Sequence, residues 1–136
     1  MNGVLLDTNV VSETARPEPD AKVLAFLSNE SNLWLSTIVV HELEYGLQLM
    51  TPGRRRDAVA GAVRSLASQV RRIVPLGYAE AEHAAVLRAR ARQAGRTLEL
   101  GDALIAATAA VRRLTLATRN TARFSGLDLE LANPWE

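Results

Sequence analysis

Four side chains with oxygen donors stand where a parallel α/β fold would bring them together: Asp7, Glu42, Asp102 and Asn120. Asp7 ends the apolar run Val4-Leu5-Leu6. Glu42 sits in "STIVVHELEYGL", early in a helix that follows the strand "LWLS", and Asp102 lies at the start of the helix of "LGDALIAATAA". That helix leads into the strand "LTLAT", and Asn120 follows in "RNTARF". Carboxylates that converge with little basic compensation repel one another, and a divalent cation between them relieves the repulsion. An all-oxygen donor set selects a hard ion such as Mg²⁺ or Mn²⁺. With no cysteine in the chain there is neither a thiolate site nor a disulfide framework.

Each of these residues also has an ordinary reading on its own. Asp7 suits a cap or turn, Glu42 a solvated helix face, Asp102 a first turn favoured by the helix dipole, and Asn120 a turn. Glu44 is two positions from Glu42 and points to another helical face, towards solvent. Glu99, three residues before Asp102, either reaches the same pocket or caps the helix. His41 and His83 fit packing or surface roles better than ligation.

The elements that must position these groups are legible as short apolar strands at 3–6, 33–36, 72–76, 114–118 and 129–133. Helical stretches lie between them, at 9–15, 20–30, 36–50, 53–70, 79–95 and 100–114. Pro17 and Pro19 stop the first helix, Pro52-Gly53 follow the third, and Gly95 ends the fifth. Val59, Val63, Leu66 and Val70 form one stripe on the fourth. Strands that are continuous apolar runs, alternating with helices, predict an α/β domain with a mainly parallel sheet. In such sheets sites form beyond the carboxyl ends of the strands, where Asp7 stands.

The 136 residues, 48% of them apolar, suit a single domain over 1–136 with its own core. No apolar run approaches the roughly 20 residues of a membrane span, and no signal peptide is visible, so a soluble, cytoplasmic protein is expected. Net charge is +1, but it is unevenly placed. Residues 1–50 carry seven acids and two bases, whereas 51–125 carry fourteen arginines and five acids. Arginine binds phosphate bidentately, so this middle is compatible with nucleic acid; it equally suits solvated helix faces.

The stretches "LLDTNVVSE", "STIVVHELEYGL", "GDALIAATAA", "ATRNTARF" and the closing "NPW" resemble, in order and over nearly the whole chain, the PIN-domain ribonuclease toxins of the VapC type, in particular their FitB-like branch. The resemblance implies a PIN-like fold, a central parallel sheet with helices on both faces. It implies a Mg²⁺- or Mn²⁺-dependent endoribonuclease acting as the toxin of a type II toxin–antitoxin pair. It also implies a cognate antitoxin, an RNA substrate and a homodimer. Carried over position by position, the family's acids fall on Asp7, Glu42 and Asp102, and its supporting polar positions on Asn9, Thr37 and Thr118.

On that reading a bound metal polarises the scissile phosphate and acidifies a water, and cleavage leaves a 5′-phosphate and a 3′-hydroxyl. Thr8 and Thr37 are candidates to orient a water or a ligand carboxylate. Arg88 and Arg92, one turn apart, and Arg119 are candidates to hold the RNA backbone. The family often has a fourth acid where this chain has Arg123. We therefore expect Asn120 to complete the metal site and Arg123 to turn outward, leaving one well-occupied ion rather than two.

Other classes fit less well. A receiver domain wants an acidic pair after the first strand and a nearby lysine, but the only lysine is Lys22. A haloacid-dehalogenase-like phosphatase wants an acid at position 9, which is Asn9. A dinucleotide-binding module wants G-x-G-x-x-G after the first strand, and none is present. A PIN domain that only binds its partner or RNA remains open, because the fourth acid is missing.

Overall fold

A computed structural model describes residues 3–136. Five strands, β1 (Val4–Leu6), β2 (Leu33–Ser36), β3 (Arg72–Val74), β4 (Thr115–Ala117) and β5 (Leu131–Ala132), form one sheet in the order β3-β2-β1-β4-β5. Every strand pairing is parallel, with Leu5 opposite Trp34 on one side and Leu116 on the other. The helices are α1 (Thr8–Thr14), α2 (Ala21–Asn29), α3 (Thr37–Leu49), α4 (Arg54–Gln69), α5 (Tyr78–Gln93) and α6 (Leu100–Arg112). A 3₁₀ turn (Thr121–Phe124) lies between β4 and β5.

The central strand explains the layering. Val4, Leu5 and Leu6 are all buried, and successive strand side chains point to opposite faces, so helices cover both faces of the sheet. Helix α6 is buried continuously from Ala103 to Ala109; its alanines let it lie close to the sheet, and α5 packs along it. Gly3 is required by close approach, because a Cβ there would meet Trp34 Nε1 at 2.5 Å.

Helix boundaries follow the capping signals. Asp20 caps α2 by accepting from the Lys22 amide at 2.8 Å, and Ser36 caps α3 by accepting from the Val39 amide at 3.3 Å. Gly95, at φ +78°, closes α5 in a Schellman turn: the Arg96 amide donates to the Ala91 carbonyl (2.8 Å) and the Gly95 amide to that of Arg92 (3.0 Å).

Several expectations need correction. Strand β5 has two residues where five were predicted. The turn at Asp128 (φ 58°) precedes it, and Pro134, which has no N–H to donate, follows soon after. On α4 only Leu66 of the expected stripe is buried; Val63 and Val70 pack partly against the core, because this helix lies at the periphery. No helix among the described residues is long and apolar enough to cross a membrane.

Candidate active site

The order in which the chain adds its parallel strands reverses between β1 and β4. The path runs outward from β1 to β2 and β3, then returns to β4 on the other side of β1. Parallel α/β sheets open a crevice at such a point, beyond the carboxyl ends of the strands. A cleft of about 520 Å³ opens there, lined by Asp7, Glu42, Asp102 and Asn120. Thr8, Asn9, Arg119, Arg123 and Trp135 share its wall, and so do Ser12, Glu13 and Arg16.

Asp7 forms the floor. It is 5% exposed and follows directly on β1, where its amide donates to the Ala117 carbonyl at 2.9 Å. Its carboxylate caps α1 through the Thr8 amide (2.8 Å) and accepts from the hydroxyl of buried Thr118 (2.7 Å) and from Asn9 Nδ2 (3.3 Å). The cap expected for a lone Asp is therefore present, and one carboxylate is both cap and cleft floor. Asn9 in turn accepts from the Arg119 amide at 3.3 Å, and the Asn120 amide donates to Thr118 Oγ1 at 3.1 Å. These bonds tie the loop after β4 to the end of β1.

Glu42 arrives from the second turn of α3. Thr8 Oγ1 donates to its Oε1 at 2.8 Å, leaving Oε2 with no donor among the described residues. The carboxylate lies close to the start of α6, since a Cβ at Gly101 would stand 3.6 Å from Glu42 Oε2. Asp102, in the first turn of α6, completes the acidic set. Its burial pushes its pKa above the ordinary carboxylate value of 3.8; the Arg123 guanidinium opposes this shift, and the charges of Asp7 and Glu42 add to it. That mutual repulsion places the three carboxylates within electrostatic reach of one another.

Arg123 contradicts its expectation. It does not turn outward: its Nη1 donates to Asp102 Oδ2 at 3.4 Å. The reason is local charge, since an acid kept from water beside two others draws in the nearest cation. Thr37 also falls outside the cleft. It is exposed, and its hydroxyl accepts from the Leu76 amide at 3.1 Å, fastening the chain after β3 to the start of α3. Glu99 is exposed and lines no part of the cleft, nor does its side chain cap α6. Glu44 pairs with Gln48, and His41 stacks on Tyr45 in a neighbouring apolar groove.

Of the arginines, Arg119 lines the cleft with its guanidinium 5.1 Å from the Trp135 ring centre. Arg88 and Arg92 lie along α5 away from it, and Arg88 Nε donates to the Leu98 carbonyl at 3.3 Å. Reading the residues singly missed Glu13 and Arg16. Asn9 and Glu13 stand four apart on α1, and Arg16 follows two residues past its end, a spacing that brings them to one side. Glu13 is buried and spends its carboxylate on Arg16 Nη1 (3.2 Å) and the Asp20 amide (2.8 Å).

The donor set fits a hard cation. It is all oxygen, it comes from three different elements, and each acid is oriented by a neighbour. Among the described residues, however, no three acidic or histidine side chains stand as a ready-made ion cage. Asp7 is engaged by three donors and Asp102 by Arg123.

A parallel α/β domain with an acidic cleft at its reversal of strand order defines a class, and comparison with known proteins gives the family. The PIN domain family matches residues 4–128. The chain is 36% identical to VapC ribonuclease Y4jK of Sinorhizobium fredii, covering 98% of each. It is 36% identical to Toxin FitB of Neisseria gonorrhoeae, covering 97% of this chain and 98% of that one. The crystal structure of FitAcB from Neisseria gonorrhoeae superposes with a TM-score of 0.88 at 36% identity, covering 98% of this chain and 99% of that one. The chain belongs to the PIN domain family.

Proposed function

We propose that this protein is a divalent-metal-dependent endoribonuclease and the toxin of a type II toxin–antitoxin pair. The observation that carries this reading is the gathering of Asp7, Glu42 and Asp102 on one open cleft, in a PIN-family chain similar along its length to a VapC ribonuclease and to Toxin FitB.

Asp7, Glu42 and Asp102 would hold Mg²⁺ or Mn²⁺, and the Asn120 amide oxygen would add a neutral donor. When bound, such an ion offsets the charge of the scissile phosphate and acidifies a water. The remaining work belongs to the chain. Thr118 and the Thr8 amide fix Asp7, the Thr8 hydroxyl orients Glu42, and Asn9 couples Asp7 to the loop carrying Arg119. Arg119 on the cleft wall and Arg92 on exposed α5 engage RNA phosphates, a task that suits the guanidinium fork. Cleavage leaves 5′-phosphate and 3′-hydroxyl ends.

The protein contacts of this reading are an antitoxin and a second copy of the chain. Val10, Val11 and Leu47 fill the core and are not available to a partner. Tyr45 and Leu49 on α3 and Leu100 on α6 stay exposed; Tyr45 and Leu100 flank an apolar groove of about 610 Å³ beside the cleft, which supports burial against a protein partner. The setting is the cytoplasm, where the RNA is.

A second reading, RNA or partner binding without cleavage, draws on the Arg123–Asp102 pair. Incubation of purified protein with mixed RNA separates the two. Fragments bearing 5′-phosphate should appear with Mg²⁺ or Mn²⁺ and disappear with EDTA. Intact RNA under both ions would overturn the enzymatic reading.

A further inference from the structure

The base at position 123 has a conspicuous setting. Its backbone is fixed from two sides: Phe124, 1% exposed, anchors the 3₁₀ turn in the core, and Arg96 reaches from the α5–α6 connection to the Arg123 and Ser125 carbonyls at 3.4 and 3.1 Å. Its side chain is held by far less. A single contact of 3.4 Å joins it to Asp102, and the side chain is 54% exposed. Exposed ion pairs of this kind are weak, on the order of a few-fold in an equilibrium. An anchored backbone thus presents a half-exposed, singly held guanidinium at the rim of an acidic cleft.

From this we infer that Arg123 is an internal counter-cation: it neutralises Asp102 while the site lacks metal, and once displaced by a divalent ion it binds the scissile phosphate. The inference rests on the metal-nuclease reading. The guanidinium and a divalent ion would both draw on the Asp102 carboxylate, and they repel each other, so they would compete for it. A displaced Arg123 stays within the same cleft, because its backbone cannot follow. The anionic group that next enters is a phosphate, for which the planar fork offers two parallel donors. Where a further acid would recruit more metal, this chain carries a permanent positive charge, which supplies part of the same electrostatic stabilisation to the pentacoordinate transition state.

Two readouts on Arg123→Gln test this: Mn²⁺ affinity by calorimetry, without RNA, and kcat at saturating Mn²⁺. Removing the competitor should tighten Mn²⁺ binding about three- to tenfold. Removing the phosphate donor should lower kcat about 10- to 100-fold. Arg123→Lys, which keeps the charge, should restore the weaker metal affinity and part of kcat. Unchanged or weaker Mn²⁺ binding by Arg123→Gln overturns the counter-cation role. Tighter binding with kcat unchanged or raised overturns the phosphate role. Wild-type protein that binds no Mn²⁺ overturns the inference together with the nuclease reading, a failure visible before any substitution is made.

Discussion

Thr118 donates its hydroxyl to Asp7 Oδ2 at 2.7 Å, and this bond joins the end of β4 to the end of β1 at the floor of the cleft. Both residues are buried, so the bond has no water to replace it. Thr118→Val keeps the shape and removes the donor. It should cost about 1–3 kcal/mol of stability in denaturant unfolding, the usual penalty for an unsatisfied buried group. Thr118→Ser should retain most of that stability, and a Thr118→Val protein as stable as wild type would show that the bond contributes nothing.

Thr8 tests positioning rather than folding. Its hydroxyl orients Glu42 at 2.8 Å on a half-exposed surface. Thr8→Val should therefore leave the melting temperature nearly unchanged while lowering cleavage about 10- to 100-fold, the usual effect of losing a group that orients a metal ligand. Thr8→Ser should behave like wild type, and equal rates for Val and Ser would remove Thr8 from the account.

Asp102 gives a pH dependence with a definite sign. Burial raises its pKa in the folded state, with Asp7 and Glu42 adding to the shift and Arg123 opposing it, so the folded chain binds this proton more tightly than the unfolded chain. Its contribution to metal-free stability is full below the unfolded value and is lost as pH rises from 3.8 through the raised folded value. Asp102→Asn should therefore melt higher than wild type at pH 7 without metal, yet bind Mn²⁺ more weakly. A lower melting temperature under those conditions would reverse the sign.

Arg113 is a stability prediction remote from the cleft. It ends α6 at φ 56°, ψ 48°, a left-handed conformation that favours glycine. The amides of Arg113 and Leu114 close the helix on the Ala110 and Ala109 carbonyls. Arg113→Gly should stabilise the protein by about 0.5–1 kcal/mol with cleavage unchanged. Measured destabilisation would mean that the exposed side chain makes a compensating contact.

Much of this was legible in the sequence because it depends on local chemistry. Asp7, Glu42 and Asp102 could be placed from where apolar runs stop and helices start, and parallel strands put those points on one side of the sheet. Thr118 and Asn9 entered only through the resemblance to the PIN-domain toxins, and their bonds to Asp7 give them a place in the cleft. Arg123 was misplaced for a physical reason: its backbone is fixed by Arg96 and Phe124, and its side chain is drawn to Asp102, a charge 21 positions away. Thr37 likewise depends on a tertiary partner, the Leu76 amide. The seven residues of α1 offer too little periodicity to show which side is buried, yet Val10 and Val11 are both fully buried, in a helix in contact with α2, α3 and α4.

The central claim is that Asp7 holds a metal on which RNA cleavage depends, and Asp7→Asn tests it most directly. Asparagine keeps the shape and the acceptor oxygen for Thr118 but removes the charge. The measurement is the rate of RNA cleavage in Mn²⁺ for wild type and variant, with folding checked by circular dichroism. Loss of the charge should reduce the rate by about a hundredfold or more, with secondary structure intact and Mn²⁺ affinity lowered in parallel. A folded Asp7→Asn protein that cleaves RNA at the wild-type rate would contradict the account.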